Sequence, residues 1–114
     1  PACGQAVIAI ETRVADHETR KILDNIHNKN AGLTSAAERA ALQVLDGSCH
    51  TPIGAFAVMR GNDMDFKLAV ASGDGLRFFE DSVSGAVASI EDAETLGRDI
   101  AARLKERIPS DIFA

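Results

Sequence analysis

Phe66, Leu68 and Val70 alternate with Lys67, Ala69 and Ala71. A period of two marks a strand with one buried face and one wet face, and such strands belong to antiparallel sheets. Two further apolar runs flank it, Ile53 to Arg60 and Leu76 to Val83. Gly61-Asn62-Asp63 and Gly73-Asp74-Gly75 separate the three runs, and both read as hairpin signals. The pattern predicts a three-strand meander over 53–60, 66–72 and 76–83. A sheet that is apolar on one face must bury that face against another layer.

The period changes to that of a helix on either side. Ala37, Ala41, Val44 and Leu45 share one side of a helix predicted to open at Ser35. Ser35 and Glu38 have the spacing of a capping box, and Gly47 supplies a natural stop. Before it, Asn28 to Leu33 (NKNAGL) reads as a turn-rich connector. After the meander, Ala93, Leu96, Ile100, Leu104 and Ile108 line one face of a helix predicted over 91–107. Acids at its start and bases at its end suit the helix dipole, and Pro109 ends it. The order is α-β-β-β-α, a two-layer α+β unit with a three-stranded antiparallel sheet over residues 31–114.

Residues 1–30 read differently. Ala6 to Ile10 (AVIAI) is a short, nearly unbroken apolar run, expected to be a strand buried on both faces. Asp16 then caps a helix predicted over 17–27, with Ile22, Leu23 and Ile26 on its apolar side. A strand and helix of this kind are the start of a βα piece from a different sheet. The chain is therefore read as a portion of a longer protein, divided at 1–30 and 31–114. An apolar strand with open edges is a template for pairing, so residues 5–12 are expected to drive self-association.

Charge narrows the partners. Lys and Arg number 12 against 17 Asp and Glu, a net charge of −5. That balance speaks against nucleic acid and against an anionic membrane surface. No apolar run approaches the ~20 residues of a membrane span. No signal peptide is evident, and Cys3 and Cys49 do not make a disulfide framework, so a cytoplasmic setting is expected.

Cys49 is the candidate for chemistry. It lies in Gly47-Ser48-Cys49-His50-Thr51-Pro52, between a helix and a strand. A buried structural cysteine is the bland reading. Turnover as a nucleophile is a weak one, because a helix C-terminus disfavours a thiolate and no carboxylate is placed to orient His50. Cys3, Cys49, His17, His27 and His50 lack metal-ligand spacing, so no metal is expected. A stand-alone α+β binding module, and a thiol redox protein using Cys3 and Cys49, remain alternatives at this level.

Longer motifs carry a resemblance. Pro1-Ala-Cys-Gly-Gln5-Ala-Val-Ile-Ala-Ile-Glu11-Thr-Arg13 resembles the PAxGQGxxxIExR segment of hydroxymethylbilane synthase, also called porphobilinogen deaminase. Ala37-Glu38-Arg39-Ala40, followed by Leu45-Asp46-Gly47-Ser48-Cys49-His50-Thr51-Pro52-Ile53-Gly54-Ala55-Phe56-Ala57, resembles its AERA…LxGGCxxPIGAxA signature. The motifs stand the family's usual distance apart. Ala6 and Ser48 replace family glycines, and at Ala6 a Cβ restricts close backbone approach.

The resemblance implies a transferase of tetrapyrrole (haem, porphyrin) biosynthesis that joins four porphobilinogen units head to tail with release of ammonia. It implies a dipyrromethane cofactor bound by a thioether to Cys49, with Gln5 facing the active cleft. It places residues 1–30 with the family's first domain and 31–114 with the cofactor-attachment domain. It also implies that the catalytic aspartate and the substrate-binding arginines lie in the missing N-terminal domains of the same chain. The 114 residues alone are then expected to be inactive and to lack the cofactor. The net acidity agrees, because a growing polypyrrole rich in carboxylates needs a cationic cleft.

Overall fold

A computed structural model describes residues 1–5, 7–45 and 52–113 of the chain. The elements run α1 (His17–Leu23), α2 (Lys29–Leu45), β1 (Ile53–Arg60), β2 (Asp63–Ala71), β3 (Phe78–Ala86) and α3 (Ile90–Lys105), with a 3-10 turn at Ser110–Phe113. The three strands form one antiparallel sheet with β2 in the centre. This is the α+β architecture that the two periodicities predict.

The alternation in β2 is what builds the core. Met64, Phe66, Leu68 and Val70 all point to one face and are fully buried. Register sets their neighbours: Phe66 lies between Ala57 and Val83, and Leu68 between Ala55 and Asp81. The small side chains on β1 leave room for α2, which packs there while α3 covers β2 and β3. Leu33, Ala37, Ala41 and Leu45 of α2 join Ala93, Ile100, Ala101 and Leu104 of α3 in one continuous core.

The two helices touch backbone to backbone. A methyl group on Gly97 would stand 2.2 Å from the Ala37 carbonyl oxygen. Only glycine fits such a crossing. At the outer edge of the sheet, Asp81 of β3 accepts from Arg103 at 2.8 Å, with Arg107 at 3.7 Å. The Arg103 hydrogen bond holds the Asp81 carboxyl below the usual carboxylate range. Arg103 and Arg107 also donate to the carbonyls of Ser82 and Glu80, which occupies acceptors of an edge strand.

Several elements differ from the sequence expectations. Val7 to Ile10 form no strand, and Val7, Ile8 and Ile10 are 42%, 90% and 57% exposed. Ala6 lies outside the described residues. The reason is pairing: among the described residues no strand lies alongside to take these N–H and C=O groups. α1 ends at Leu23 instead of running to His27, and it buries no residue.

The predicted connector at Asn28–Leu33 is instead the first turn of α2. Asn28 caps it, its Oδ1 accepting from the Ala31 N–H at 3.0 Å. With the helix already running, the Ser35 hydroxyl donates back to the Gly32 carbonyl at 3.2 Å and forms no capping box. A related cap occurs at α3, with the return bond one residue before the N-cap Ser89. The Ser89 Oγ accepts from the Asp92 N–H at 3.1 Å, and Asp92 accepts from the Ala88 N–H at 3.0 Å. β2 begins three residues earlier than expected, since Arg60 and Asp63 pair across the Gly61-Asn62 turn, where Gly61 has φ +62. β3 runs 78–86 instead of 76–83, because the loop after Ser72 stays closed through Ser72 N–H to the Arg77 carbonyl at 2.9 Å.

Candidate functional site: an anchored loop and the turn beside it

Asp46 to Thr51 lie outside the described residues, and the Cys49 expectation falls there. The site is therefore defined by its anchors. On the entry side Leu45 is buried in the core, and Lys105 of α3 donates to the Val44 carbonyl at 3.0 Å. A cation on the last carbonyls of a helix satisfies acceptors that the helix itself cannot. On the exit side the Pro52 carbonyl accepts from the Ala71 N–H at 3.0 Å, which extends the β1–β2 ladder to the first residue after the loop. Ile53 packs against the core. The intervening segment is thus fixed at both ends by the same hydrophobic layer.

Residues 1–5 stand at the free edge of β1. Gln5 donates its N–H to the Ala2 carbonyl at 3.1 Å and accepts the Ala2 N–H on its side-chain oxygen at 3.1 Å. Gly4 takes φ +70, a conformation open to glycine and resisted by other residues. The resulting tight turn is pinned from below. The Pro1 carbonyl accepts from the Ala55 N–H at 2.7 Å. Glu38 of α2, 9% exposed, takes the Gly4 N–H on one carboxylate oxygen at 2.9 Å and the Ala57 N–H on the other at 3.3 Å.

The second cysteine is distinguished by this setting. Cys3 is a free, partly buried thiol packed against the core. Burial first, and the Glu38 carboxylate second, push its thiol up from the ordinary value. Thiolate, not thiol, is the attacking form, so this setting lowers the reactivity of Cys3. Gln5 is exposed, with its side chain engaged in closing the turn.

A dipyrromethane bound here would need a thiol on a loop and cations for its carboxylates. For the first, Cys49 lies between the two anchors in sequence and outside the described residues. For the second, Arg60 pairs with Asp65, Arg77 with Asp111, and Arg103 with Asp81. These three guanidiniums are already engaged by carboxylates of the chain itself. Among the described residues, no three His, Cys, Asp or Glu side chains come together to hold a metal ion. No described helix is long and apolar enough to cross a membrane. An open groove of about 590 Å³ lies between residues 7–12, α1 and the start of α2, lined by Val7, Ile8, Ile10, Leu23 and Ile26 among others.

Glu38 is the residue that the sequence reading assigned to the wrong task. It was expected as the second half of a capping box, yet it bridges a turn and a strand. A signal was present: Glu38, Ala41 and Leu45 recur at the spacing of one helix face, and a carboxylate on an apolar face calls for donors.

Comparison with known proteins agrees with this layout. A family model described as "Porphobilinogen deaminase, C-terminal domain" matches residues 32–106. A porphobilinogen deaminase of Nitrobacter winogradskyi is 40% identical over 113 residues, covering 99% of this chain and 35% of the relative. One from Chloroherpeton thalassium is 38% identical over 102 residues, covering 89% and 32%. One from the yeast Yarrowia lipolytica is 36% identical over 103 residues, covering 90% and 30%. The chain therefore spans about a third of the length of the curated relatives it matches. The matched segment takes in most of α2, residues 46–51, the whole sheet and α3, and the chain belongs to the porphobilinogen deaminase family.

Proposed function

We propose that the protein serves as the cofactor-attachment portion of a hydroxymethylbilane synthase, the transferase that joins four porphobilinogen units and releases ammonia. The observation that carries the reading is the motif from Leu45 to Ala57, which lies within the family match and joins a buried helix end to the first strand. Cys49 is the proposed thioether anchor. When bound, the dipyrromethane supplies the primer on which the chain of pyrroles grows.

The residues of this chain then have a mechanical task. Leu45, packed in the core, and Ile53, packed against it, fix the positions from which the 46–51 segment departs and to which it returns. An anchor is alkylated once and needs no poised thiolate at each turnover. Substrate carboxylates and the acid chemistry are assigned to the N-terminal domains of the family enzyme. Residues 1–30 are assigned to the first of those domains, with Gln5 toward the cleft, and residues 31–114 to attachment. The proposed setting is the cytoplasm.

Mass spectrometry of the intact full-length enzyme tests the assignment. The dipyrromethane adduct should be present in the wild type, lost in Cys49→Ala and retained in Cys3→Ala. An adduct that survives Cys49→Ala overturns the reading. For the 114-residue chain we propose self-association through residues 5–12, supported by the exposed Val7, Ile8 and Ile10. Light scattering over a hundredfold concentration range should show mass rising with concentration, and a constant monomer mass refutes this.

A further inference from the structure

We propose that Glu38 couples the turn at residues 1–5 to the attachment domain, so that Gln5 moves as one body with α2 and β1. The functional weight of that coupling rests on the reading of Cys49 and Gln5 given above. The coupling itself rests on geometry.

β1 is an edge strand, and alternate N–H groups of an edge strand point away from the sheet. Ala55 and Ala57 are two such groups. Among the described residues neither is met by another strand. The Pro1 carbonyl takes the first, and the Glu38 carboxylate takes the second. The same carboxylate takes the Gly4 N–H through its other oxygen. One side chain of α2 therefore joins a helix, a strand and the turn. Because Glu38 is nearly buried, an unpartnered charge there is costly, and its two donors are strongly specified. Cys3 adds packing to the same side of the turn. The consequence is a mechanical boundary after Gln5. Residues 1–5, grouped above with 1–30, are thereby tied to the residues that follow 31.

Amide hydrogen exchange on the 114-residue chain tests the coupling. In the wild type, Gly4 and Ala57 should be protected together. Glu38→Ala should lower protection at both by tenfold or more, while Phe66 and Leu68 in the central strand stay within threefold. Glu38→Gln has one carbonyl oxygen and should restore protection at one of the two sites. Unchanged protection at Gly4 in Glu38→Ala overturns the proposal. So does loss at Gly4 and Ala57 only in step with Phe66 and Leu68, since that pattern is general loosening. The outcome does not depend on Cys49, whose role the adduct mass tests separately.

Discussion

The apolar run in β2 and the apolar run at residues 7–10 look alike on paper and end in opposite environments. Phe66, Leu68 and Val70 are fully covered, and Ile8 is almost fully exposed. The difference is not hydrophobicity. β2 has a strand on each side and a helix layer beneath it, so both its backbone and its side chains are satisfied within the chain. Residues 7–10 have neither. α1 and the turn after it repeat the point, since Ile22 and Ile26 are exposed despite their apolar spacing. A periodic apolar pattern specifies a face to be buried, and whether it is buried depends on a neighbour that need not be encoded nearby.

The largest expected effect lies in the covered region. Phe66→Ala removes the largest fully buried side chain and should cost about 3–5 kcal/mol in denaturant unfolding. Gly97→Ala attacks the helix crossing instead. With the Ala37 carbonyl in the way, α2 and α3 must separate, and a loss of roughly 1–3 kcal/mol is expected as a lowered Tm. A change within error at either position would mean that the layer is looser than its contacts suggest.

Caps give a finer test. Ser89→Ala should cost about 1 kcal/mol, because Ser89 accepts from the first turn of α3. Ser35→Ala should stay within about 0.5 kcal/mol, since Ser35 sits inside α2 and alanine is the better helix former. Equal losses would restore the capping box at Ser35.

Charge gives a smaller effect with a definite sign. The folded state lowers the Asp81 carboxyl through Arg103, so it binds its proton more weakly there than in the unfolded chain. Its contribution is full above the unfolded value of about 3.9 and is lost as pH falls through the folded value. Unfolding titrated from pH 7 down to pH 2 should show that acid limb, flattened in Asp81→Asn. An unchanged limb would remove Asp81 as a cause. Smallest of all, Ile8→Ser should leave unfolding stability within about 0.5 kcal/mol, as expected at an exposed position. A loss above 1 kcal/mol would show that residues 7–10 are covered after all.

The sheet and α3 were legible because local periodicity and tertiary burial agree there. β1 starts at Ile53 and ends at Arg60, as its composition indicates. The start of α2 was not legible, since Asn28 reads equally as a turn residue and as a cap, and the choice depends on Leu33 finding the core. The exposed state of Ile8 and Ile22 was not legible either, because pattern says nothing about missing neighbours. At the site, the cysteine motif was readable by resemblance. The Glu38 bridge was hidden because its donors, Gly4 and Ala57, lie 34 and 19 residues away in sequence.

Limited trypsin digestion read by mass tests the contrast between the two regions most directly. Arg13, Arg20 and Lys21 lie in the exposed region, and Lys67, Arg98 and Arg103 in the packed one. Cleavage needs local opening, which the core resists. The account predicts cuts at Arg13, Arg20 and Lys21 at least tenfold faster than at Lys67, Arg98 and Arg103, leaving a resistant C-terminal fragment. Cleavage at Lys67 or Arg98 at the same rate as at Arg13 would contradict it.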